Sequence, residues 1–407
     1  MHAGQGMASG FSSASQDYSV QTDALLSRFE AVVPNMLRAF LIFHFSVCTD
    51  LHFFDHIARL YGTNNEKLAE DCGWQIGKAK FVPFGSQPDT QLVIVGYLGR
   101  GATGDVHEVR CGGYSKTVAQ KKIVLSTRFE HAKQQQERIY KEMDCLKRLT
   151  HQHIIRLLGA YEDGVNLKSR SICLLMYPVG EKDLSAFLED DCKCLQTDPS
   201  SAQSERYRSW ILQWVWCLSS ALEFMHLQKV HHEDIKPPNI IHRADQVYFT
   251  DFSSSRQLGV DARTSTDSPA STTRMFAAPE ALVGDDGTPM RHGSKTDVFS
   301  LGLVYVEMLT VLLGSDIKRL HAFLEDRRVP QYWKKEYHRA VDHFFDWFET
   351  LSSTYTTSLP MQLWKDIVMG MLRQSRKDRP SAHDVVKALA LRSKATKCEC
   401  EAPRTAF

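Results

Sequence analysis

Two kinds of hydrophobic pattern follow each other along the chain, and their order limits the fold. The run QLVIVGYLGRGATGDVHEVRCGG (91–113) and the next run, KTVAQKKIVLS, are typical of strands folded about glycines. A charged amphipathic helix is predicted from Phe129 to about Thr150, and from Asp183 onward apolar residues recur at helical spacing, most regularly over 207–227. Strands followed by helices favour an α+β fold with two lobes over an alternating βαβ sheet.

The ends of the chain have a different composition. Residues 1–20 are rich in Gly, Ser, Ala and Gln, which predicts disorder, and the apolar spacing after Thr22 predicts additional helix. Two prolines and a glycine in VPFGSQPDT (82–90) predict a linker.

These patterns divide the chain into three parts. We expect an N-terminal extension (1–91), a two-lobed domain (92–392) and a disordered tail (393–407). Within the domain, the small lobe is predicted over about 92–179 and the large lobe over about 180–392. The sequence leaves three roles open for residues 22–80: masking a cleft, contacting a partner, or packing on the small lobe.

Overall composition excludes several functional classes. Lys and Arg total 49 against 48 Asp and Glu, so we expect no nucleic-acid partner. The most apolar stretch (37–48) is shorter than the roughly 20 residues that cross a bilayer, and we expect no membrane span. The ten cysteines lack the CxxC…CxxC spacing of a zinc site. They are interpreted as reduced thiols of a cytoplasmic or nuclear protein.

A glycine-rich turn lies between the first two predicted strands. Gly99, Gly101 and Gly104 have the GxGxxGxV spacing, which Val106 completes. Glycines there allow backbone N–H groups to approach phosphate oxygens, although a purely structural turn is the alternative. Because a strand and not a helix follows, the dinucleotide-binding fingerprint is disfavoured.

A lysine and a glutamate are candidates to work beside this turn. Lys121 lies on the next predicted strand, where its charge can neutralise phosphate oxygens if another group holds it in place. Glu142, on the charged helix, is the best candidate for that partner. The alternatives are a solvated strand lysine, like its neighbour Lys122, and an acid on a solvated helix face.

The segment HHEDIKPPNI (231–240) follows a long predicted helix and precedes a short strand, so its polar groups are placed on a loop. Asp234 is suited to accept a proton from a hydroxyl nucleophile, and Lys236 to hold departing phosphoryl oxygens. Asn239 and, in DFSSS, Asp251 are oxygen ligands of the kind that Mg²⁺ prefers.

Taken in this order, the motifs resemble the signature set of the eukaryotic protein kinase family. The resemblance extends over about 92–392, and it implies ATP and Mg²⁺ as cofactors. It also implies that Ala278, Pro279 and Glu280 end the activation segment, that Glu280 pairs with Arg379, and that Asp297 braces the loop backbone.

By the same resemblance, LLMYPVGEKDL (174–184) is the hinge between the lobes. Met176 then occupies the gatekeeper position, and the backbone from Tyr177 to Val179 bonds to adenine, with Asp183 near the ribose. An ordinary buried strand and turn is the alternative interpretation of this stretch.

Lys236 and Thr273 match positions where serine/threonine-specific kinases carry a lysine and a threonine. We therefore predict an ATP-dependent Ser/Thr kinase with a protein substrate. Two other classes stay open: a catalytically silent nucleotide-binding scaffold, and a small-molecule phosphotransferase of the same fold.

Two residues depart from the family pattern. Glu233 stands where the family often has the arginine that meets an activation-loop phosphate, and a carboxylate would repel that group. We hypothesise that Arg256 pairs with Glu233 and orders the segment without modification. Phosphorylation would then not act through position 233, whichever of these residues carries the phosphate: Thr264, Ser265, Thr266, Ser268 or Thr272.

The second departure is Ser253, which replaces the glycine of the family's DFG motif. A serine there loses freedom to adopt positive φ, so a narrower range of segment conformations is expected without loss of metal binding.

Overall fold

The computed structural model describes residues 92–101, 103–111, 115–163, 170–257, 265–266, 274–282, 292–327, 336–354 and 363–392. The predicted extension, linker and tail lie outside the described residues. So do four of the hydroxyl residues discussed above, Thr264, Ser268, Thr272 and Thr273.

The small lobe is a five-stranded antiparallel sheet with one helix. The strands lie in the order β1-β2-β3-β5-β4. Their bounds are β1 Leu92–Arg100, β2 Asp105–Cys111, β3 Thr117–Val124, β4 Arg156–Asp163 and β5 Ser171–Tyr177, and helix α1 is Phe129–Arg148. Ile139, Met143 and Leu146 of α1 join the main core, which faces one side of the sheet.

The large lobe is helical. Its helices are α2 Leu184–Asp190, α3 Cys194–Thr197, α4 Ala202–Leu227, α5 Ser294–Leu312, α6 Ile317–Asp326, α7 Val341–Thr354, α8 Met369–Met371 and α9 Ala382–Arg392. The long helix α4 begins before the predicted residue 207 because Ser201 caps it: the Ser201 hydroxyl accepts a hydrogen bond from the Ser204 N–H at 3.2 Å. The α+β class with a strand-rich first lobe and a helical second lobe is confirmed.

One predicted helix differs in its geometry. LWKDIVMGML (363–372) contains a π-helical turn, Trp364–Val368, followed by the short α8. Leu363, Ile367 and Val368 are all buried in the core. The wider π-helical turn brings these three residues closer to one side of the helix than a regular α-helix would.

Short strands follow β5 in the described chain. They are β6 Lys182–Asp183, β7 Val230–His231, β8 Ile240–Arg243, β9 Gln246–Phe249, β10 Arg256–Gln257, β11 Ser265–Thr266 and β12 His292–Gly293. Two of them, β7 and β8, flank the polar loop. Strands β6, β8 and β9 form one small sheet, and β7 pairs with β10. The β8–β9 hairpin therefore brings the end of the 231–240 loop beside residue 251.

Among the described helices, none is by itself long and apolar enough to cross a bilayer. Helices α5 and α6 pass that test only as a pair, with a bend of 106° between them.

Candidate active site

Three of the predicted loop residues meet at one carboxylate. Asn239 donates from Nδ2 to the Asp234 backbone oxygen at 2.8 Å and to Asp234 Oδ2 at 2.9 Å. Lys236 Nζ donates to the same Oδ2 at 2.8 Å. The Asn239 carbonyl accepts the Thr250 N–H at 3.0 Å, which fixes the loop to the strand leading to Asp251.

The strand lysine lies between two acids from different parts of the chain. Lys121 Nζ is 2.8 Å from Glu142 Oε1 on α1 and 2.8 Å from Asp251 Oδ1. Lys121 and Glu142 are buried, so the solvated alternatives described above do not apply. Burial lowers the pKa of Lys121, but the Glu142 and Asp251 charges outweigh burial and raise it above its usual range. The ammonium group thus links the two lobes.

The Asp251 carboxylate is kept in its charged form. Burial raises its pKa, but the charge and hydrogen bond of Lys121, with a hydrogen bond from Ser253, lower the pKa to about 2. Asp251 itself has φ of +56°, whereas Ser253 lies in a 3₁₀ turn, Phe252–Ser254, with negative φ. Position 253 therefore does not need the positive φ of a glycine in this conformation, and its hydroxyl supports Asp251.

The glycine-rich turn requires glycine at two positions, Gly99 and Gly104. Gly99 has φ of +146°, and a Cβ at Gly104 would collide with the Lys122 carbonyl oxygen on β3. The Gly101 N–H donates to the Gly104 carbonyl at 2.9 Å and closes the turn, whose residue 102 lies outside the described part of the chain. The structural requirement for glycine is met, and phosphate binding by this turn stays a prediction.

The predicted hinge follows β5 and lies beside the main core. Met176 and Val179 are buried, Tyr177 is half-buried, and the Tyr177–Pro178 peptide is cis. Val106 on β2 packs against the same core. Asp183 caps α2, because its Oδ1 accepts the Ala186 N–H at 2.9 Å. Sequence reasoning missed this cap, although an aspartate just before the Leu184 helix start is a usual N-cap signal.

Asp297, from the first turn of α5, supports the backbone of the polar loop. Its two carboxylate oxygens accept the N–H groups of His232 and Glu233, both at 3.0 Å. Glu233 has φ of +61°, so these bonds hold a sparsely populated backbone conformation. His226 Nε2 lies 3.0 Å from Asp297 Oδ2, a contact that sequence reasoning also missed.

The predicted pair at the end of the activation segment is present. Arg379 donates from its two terminal nitrogens to Glu280, at 2.5 Å to Oε1 and 3.1 Å to Oε2. Its guanidinium carbon lies 4.7 Å from the centre of the Phe299 ring on α5. The planar guanidinium group donates two hydrogen bonds to one carboxylate and also contacts the ring. Arginine provides this geometry, and lysine does not.

Comparison with known proteins identifies this arrangement. A family model described as "Protein kinase domain" matches residues 92–389, nearly three quarters of the chain. The chain belongs to the protein kinase family. It is also similar to Cyclin-dependent kinase-like 1 of Caenorhabditis elegans, with 31% identity over 214 residues, which are 52% of this chain and 53% of that protein. The chain thus spans about half the length of that relative.

Glu233, which departs from the kinase family pattern, lies beside a positively charged residue. Arg256 Nε lies 3.7 Å from Glu233 Oε1, and Arg256 pairs with His231 across β7 and β10. Burial raises the pKa of Glu233 to about 7, and the Arg256 charge opposes that rise. In this kinase-family loop, position 233 therefore holds an acid beside an arginine that comes from the start of the activation segment.

The Asp297 brace predicts an effect of pH on stability. Burial raises the pKa of Asp297, but the His226 hydrogen bond and the neighbouring histidine charges outweigh it and lower the pKa from 3.8 to about 2. The contribution of this carboxylate is therefore complete above about pH 4 and is lost as the pH falls toward 2. Urea unfolding of the wild type and Asp297→Asn should show a stability difference that narrows by about 1 kcal/mol between pH 6 and pH 3. A difference that stays constant across this range would contradict the assignment.

Proposed function

We propose that this kinase-family chain is a serine/threonine protein kinase that transfers the γ-phosphoryl group of Mg-ATP to a protein hydroxyl. The observation that carries the proposal is the pair of hydrogen bonds that Lys121 donates, one to Glu142 and one to Asp251. These contacts bring the small-lobe lysine to the aspartate that follows the polar loop. A binding scaffold has no need of the second cluster, in which Lys236 and Asn239 converge on Asp234.

The residues present fit a magnesium ion. The Asn239 amide nitrogen is engaged with Asp234, so its amide oxygen is the atom left for a cation. Asp251, with a pKa of about 2, is anionic at neutral pH. Asn239 and Asp251 would hold the ion, since hard cations prefer oxygen ligands. When bound, Mg²⁺ would neutralise charge on the nucleotide phosphates.

The chain's own residues then position the reactants. The acceptor hydroxyl donates its proton to the Asp234 carboxylate as its oxygen bonds to the γ-phosphorus. The bond from that phosphorus to the bridging oxygen breaks, and ADP leaves. Lys236 Nζ lies 2.8 Å from Asp234 Oδ2 and would hold the transferring oxygens beside the base. Lys121 fixes the nucleotide phosphates, with Glu142 holding it in place.

The predicted nucleotide contacts complete the proposal. Gly99, Gly101, Gly104 and Val106 cover the phosphates and base from the small lobe. Met176, the Tyr177 to Val179 backbone and Asp183 bind adenine and ribose. Asp183 Oδ1 accepts the helix-cap hydrogen bond, and Oδ2 would accept a hydrogen bond from a ribose hydroxyl.

A labelling experiment separates the three functional classes. The full chain, Mg²⁺ and γ-labelled ATP are incubated with peptide libraries whose fixed acceptor is Ser, Thr or Tyr, and the labelled amino acid is identified. We expect label on the Ser and Thr libraries. Label on neither library nor on the chain itself would favour a scaffold, and label on small hydroxyl compounds alone would favour a small-molecule phosphotransferase.

The Glu233–Arg256 pair gives a prediction about regulation. Glu233→Arg places a second positive charge beside Arg256 and creates a binding site for a phosphate. Activity without activation-segment phosphorylation should fall roughly tenfold, the effect of about 1.4 kcal/mol, and should rise again on phosphorylation. The charge-swapped double variant, Glu233→Arg with Arg256→Glu, should regain activity without phosphate. Rates of phosphatase-treated and untreated samples provide the test, and unchanged rates in the single variant would refute the hypothesis.

A further inference from the structure

The described end of the activation segment, 274–282, is held by a short 3₁₀ turn from a distant part of the chain. Arg274 donates to Glu336 Oε1 from Nε at 3.1 Å and from Nη2 at 2.5 Å. The Phe276 ring meets the Tyr337 ring edge to face, with 5.4 Å between the ring centres. These four residues are here called the segment anchor.

The acid of the anchor is buried, and the arginine reaches it from the surface. The Glu336 side chain is 5% exposed, whereas the Arg274 side chain is 69% exposed. Burial raises the pKa of Glu336, but hydrogen bonds from Arg339 and Arg274 outweigh burial and lower the pKa below its usual range. The carboxylate is therefore charged at neutral pH. Loss of Arg274 would remove part of its counter-charge at a position that water barely reaches.

Tyr337 fixes the anchor to the large-lobe helices. Its hydroxyl donates to Glu307 Oε1 on α5 at 3.1 Å, and His321 Nε2 on α6 lies 2.5 Å from the same hydroxyl. Its ring also contacts the Phe344 ring on α7, with 5.8 Å between the ring centres. Tyr337 is fully buried, so three helices hold the turn that carries the anchor.

Helix α5 connects the segment end to the polar loop. Asp297 in its first turn accepts the Glu233 N–H, and the residue before it, Thr296, donates to Glu280 Oε1 at 3.3 Å. Glu307, which accepts the hydrogen bond from the anchor, lies about three helical turns further along α5. The end of the activation segment is therefore held at two places on the helix that also holds the loop of the proposed base.

This arrangement concerns the acceptor more than the nucleotide. The contacts of the anchor lie within the large lobe, whereas the proposed nucleotide site depends on Lys121 of the small lobe and on Asp251. A protein acceptor is a chain that must lie over the surface beside Asp234 in order to present its hydroxyl. Residues 274–280, held next to the polar loop by α5, form part of that surface.

We propose that Glu336 and Tyr337 are positioning residues that hold the end of the activation segment as a support for the protein substrate. Each contact of the anchor joins two unmodified side chains, so the chain itself supplies the order that a phosphate supplies when it meets an arginine. The inference rests on the proposed function, because it concerns the acceptor of the same reaction.

Peptide kinetics test this role. Glu336→Gln keeps the size of the side chain and removes the charge that binds Arg274. We expect the KM for a Ser/Thr peptide to rise about fivefold or more, with kcat and the KM for Mg-ATP within about twofold of the wild type. Initial rates of the phosphatase-treated full chain are measured against peptide and against Mg-ATP, each with the other at saturation. Loss of packing alone would change kcat and both KM values together, and that result would overturn the proposal.

Two further variants examine the same contacts. Arg274→Gln breaks the ion pair from the other side and should give the same rise, and the double variant with Glu336→Gln should have no larger peptide KM than either single one. Tyr337→Phe keeps the ring beside Phe276 but removes the bond to Glu307, so it should also raise the peptide KM. Effects of Arg274→Gln and Glu336→Gln that multiply, or an unchanged peptide KM in both Glu336→Gln and Tyr337→Phe, would contradict the proposal.

Arg327→Gln is the matched control. It removes an arginine of the same lobe that bonds to Asp346 at 2.9 Å, in a pair whose two side chains are 45% and 44% exposed. Because this pair does not contact the activation segment, the substitution should change neither KM value.

Hydrogen exchange tests the unaltered chain without an assay of activity. The Ala277 N–H donates to the Arg274 carbonyl at 3.3 Å and the Ala281 N–H to the Ala278 carbonyl at 2.9 Å, so both amides report order at the segment end. Their protection should be the same, within about twofold, before and after phosphatase treatment. A tenfold loss of protection after treatment would assign this order to a phosphate and overturn the proposal. Absence of peptide labelling by the wild type would instead refute the proposed function, and the exchange result still decides on the anchor.

Discussion

Asp234→Asn should reduce phosphoryl transfer by about 10²- to 10⁴-fold while ATP affinity stays within a few-fold of the wild type. The substitution keeps the size of the side chain and an oxygen that can accept the Lys236 and Asn239 hydrogen bonds, so the loop should keep its shape. It removes the carboxylate that accepts the proton of the acceptor hydroxyl. Initial rates on a Ser/Thr peptide and equilibrium ATP binding measure the two effects separately.

Asp245→Asn is the matched control for this prediction. Asp245 lies in the exposed turn between β8 and β9, close to the loop in sequence but outside the proposed machinery. Its substitution should change neither rate nor affinity. An Asp234→Asn protein that transfers phosphate at the wild-type rate would refute the assignment of the base.

Lys121→Met should both abolish transfer and destabilise the fold. Lys121 is buried between Glu142 and Asp251, and its removal leaves two carboxylates together without their counter-charge. Breaking a buried ion pair by removing one partner costs about 3–5 kcal/mol. Urea unfolding should show a loss of this size, and peptide phosphorylation should fall below detection.

The neighbouring lysine provides the control. Lys122 bonds to Asp163 at 2.6 Å, but both side chains are about 40% exposed. Lys122→Met should therefore cost no more than about 1 kcal/mol and leave transfer nearly unchanged. A second variant, Lys121→Met with Glu142→Met, should recover part of the lost stability without any recovery of transfer. Equal stability of Lys121→Met and Lys122→Met would contradict the buried network.

Some long-range contacts could be predicted from the sequence, in part because a family resemblance supplied them. The Glu280–Arg379 pair joins residues far apart in the chain, and no local pattern specifies that contact. For Lys121, the charged helix already offered Glu142 as a candidate partner, and the resemblance agreed with that choice. The lobe order, in contrast, followed from hydrophobic periodicity alone, since strand and helix periods differ along the chain.

Other features could not be predicted because they depend on the assembled backbone. His226 meets Asp297 only after α4 and α5 pack together. The conformational effect of Ser253 could not be predicted without its φ, which is negative, whereas its neighbour Asp251 has positive φ.

The central claim is that Lys121, Asp234, Asn239 and Asp251 act on one magnesium-bound triphosphate. The most direct measurement quantifies ADP and phosphopeptide in the same reaction of the full chain, with Mg²⁺ and with EDTA. The account predicts that the two products form together in equal amounts with Mg²⁺, and that neither forms with EDTA. ATP binding without either product, under conditions where the chain is folded and saturated with Mg-ATP and peptide, would contradict it.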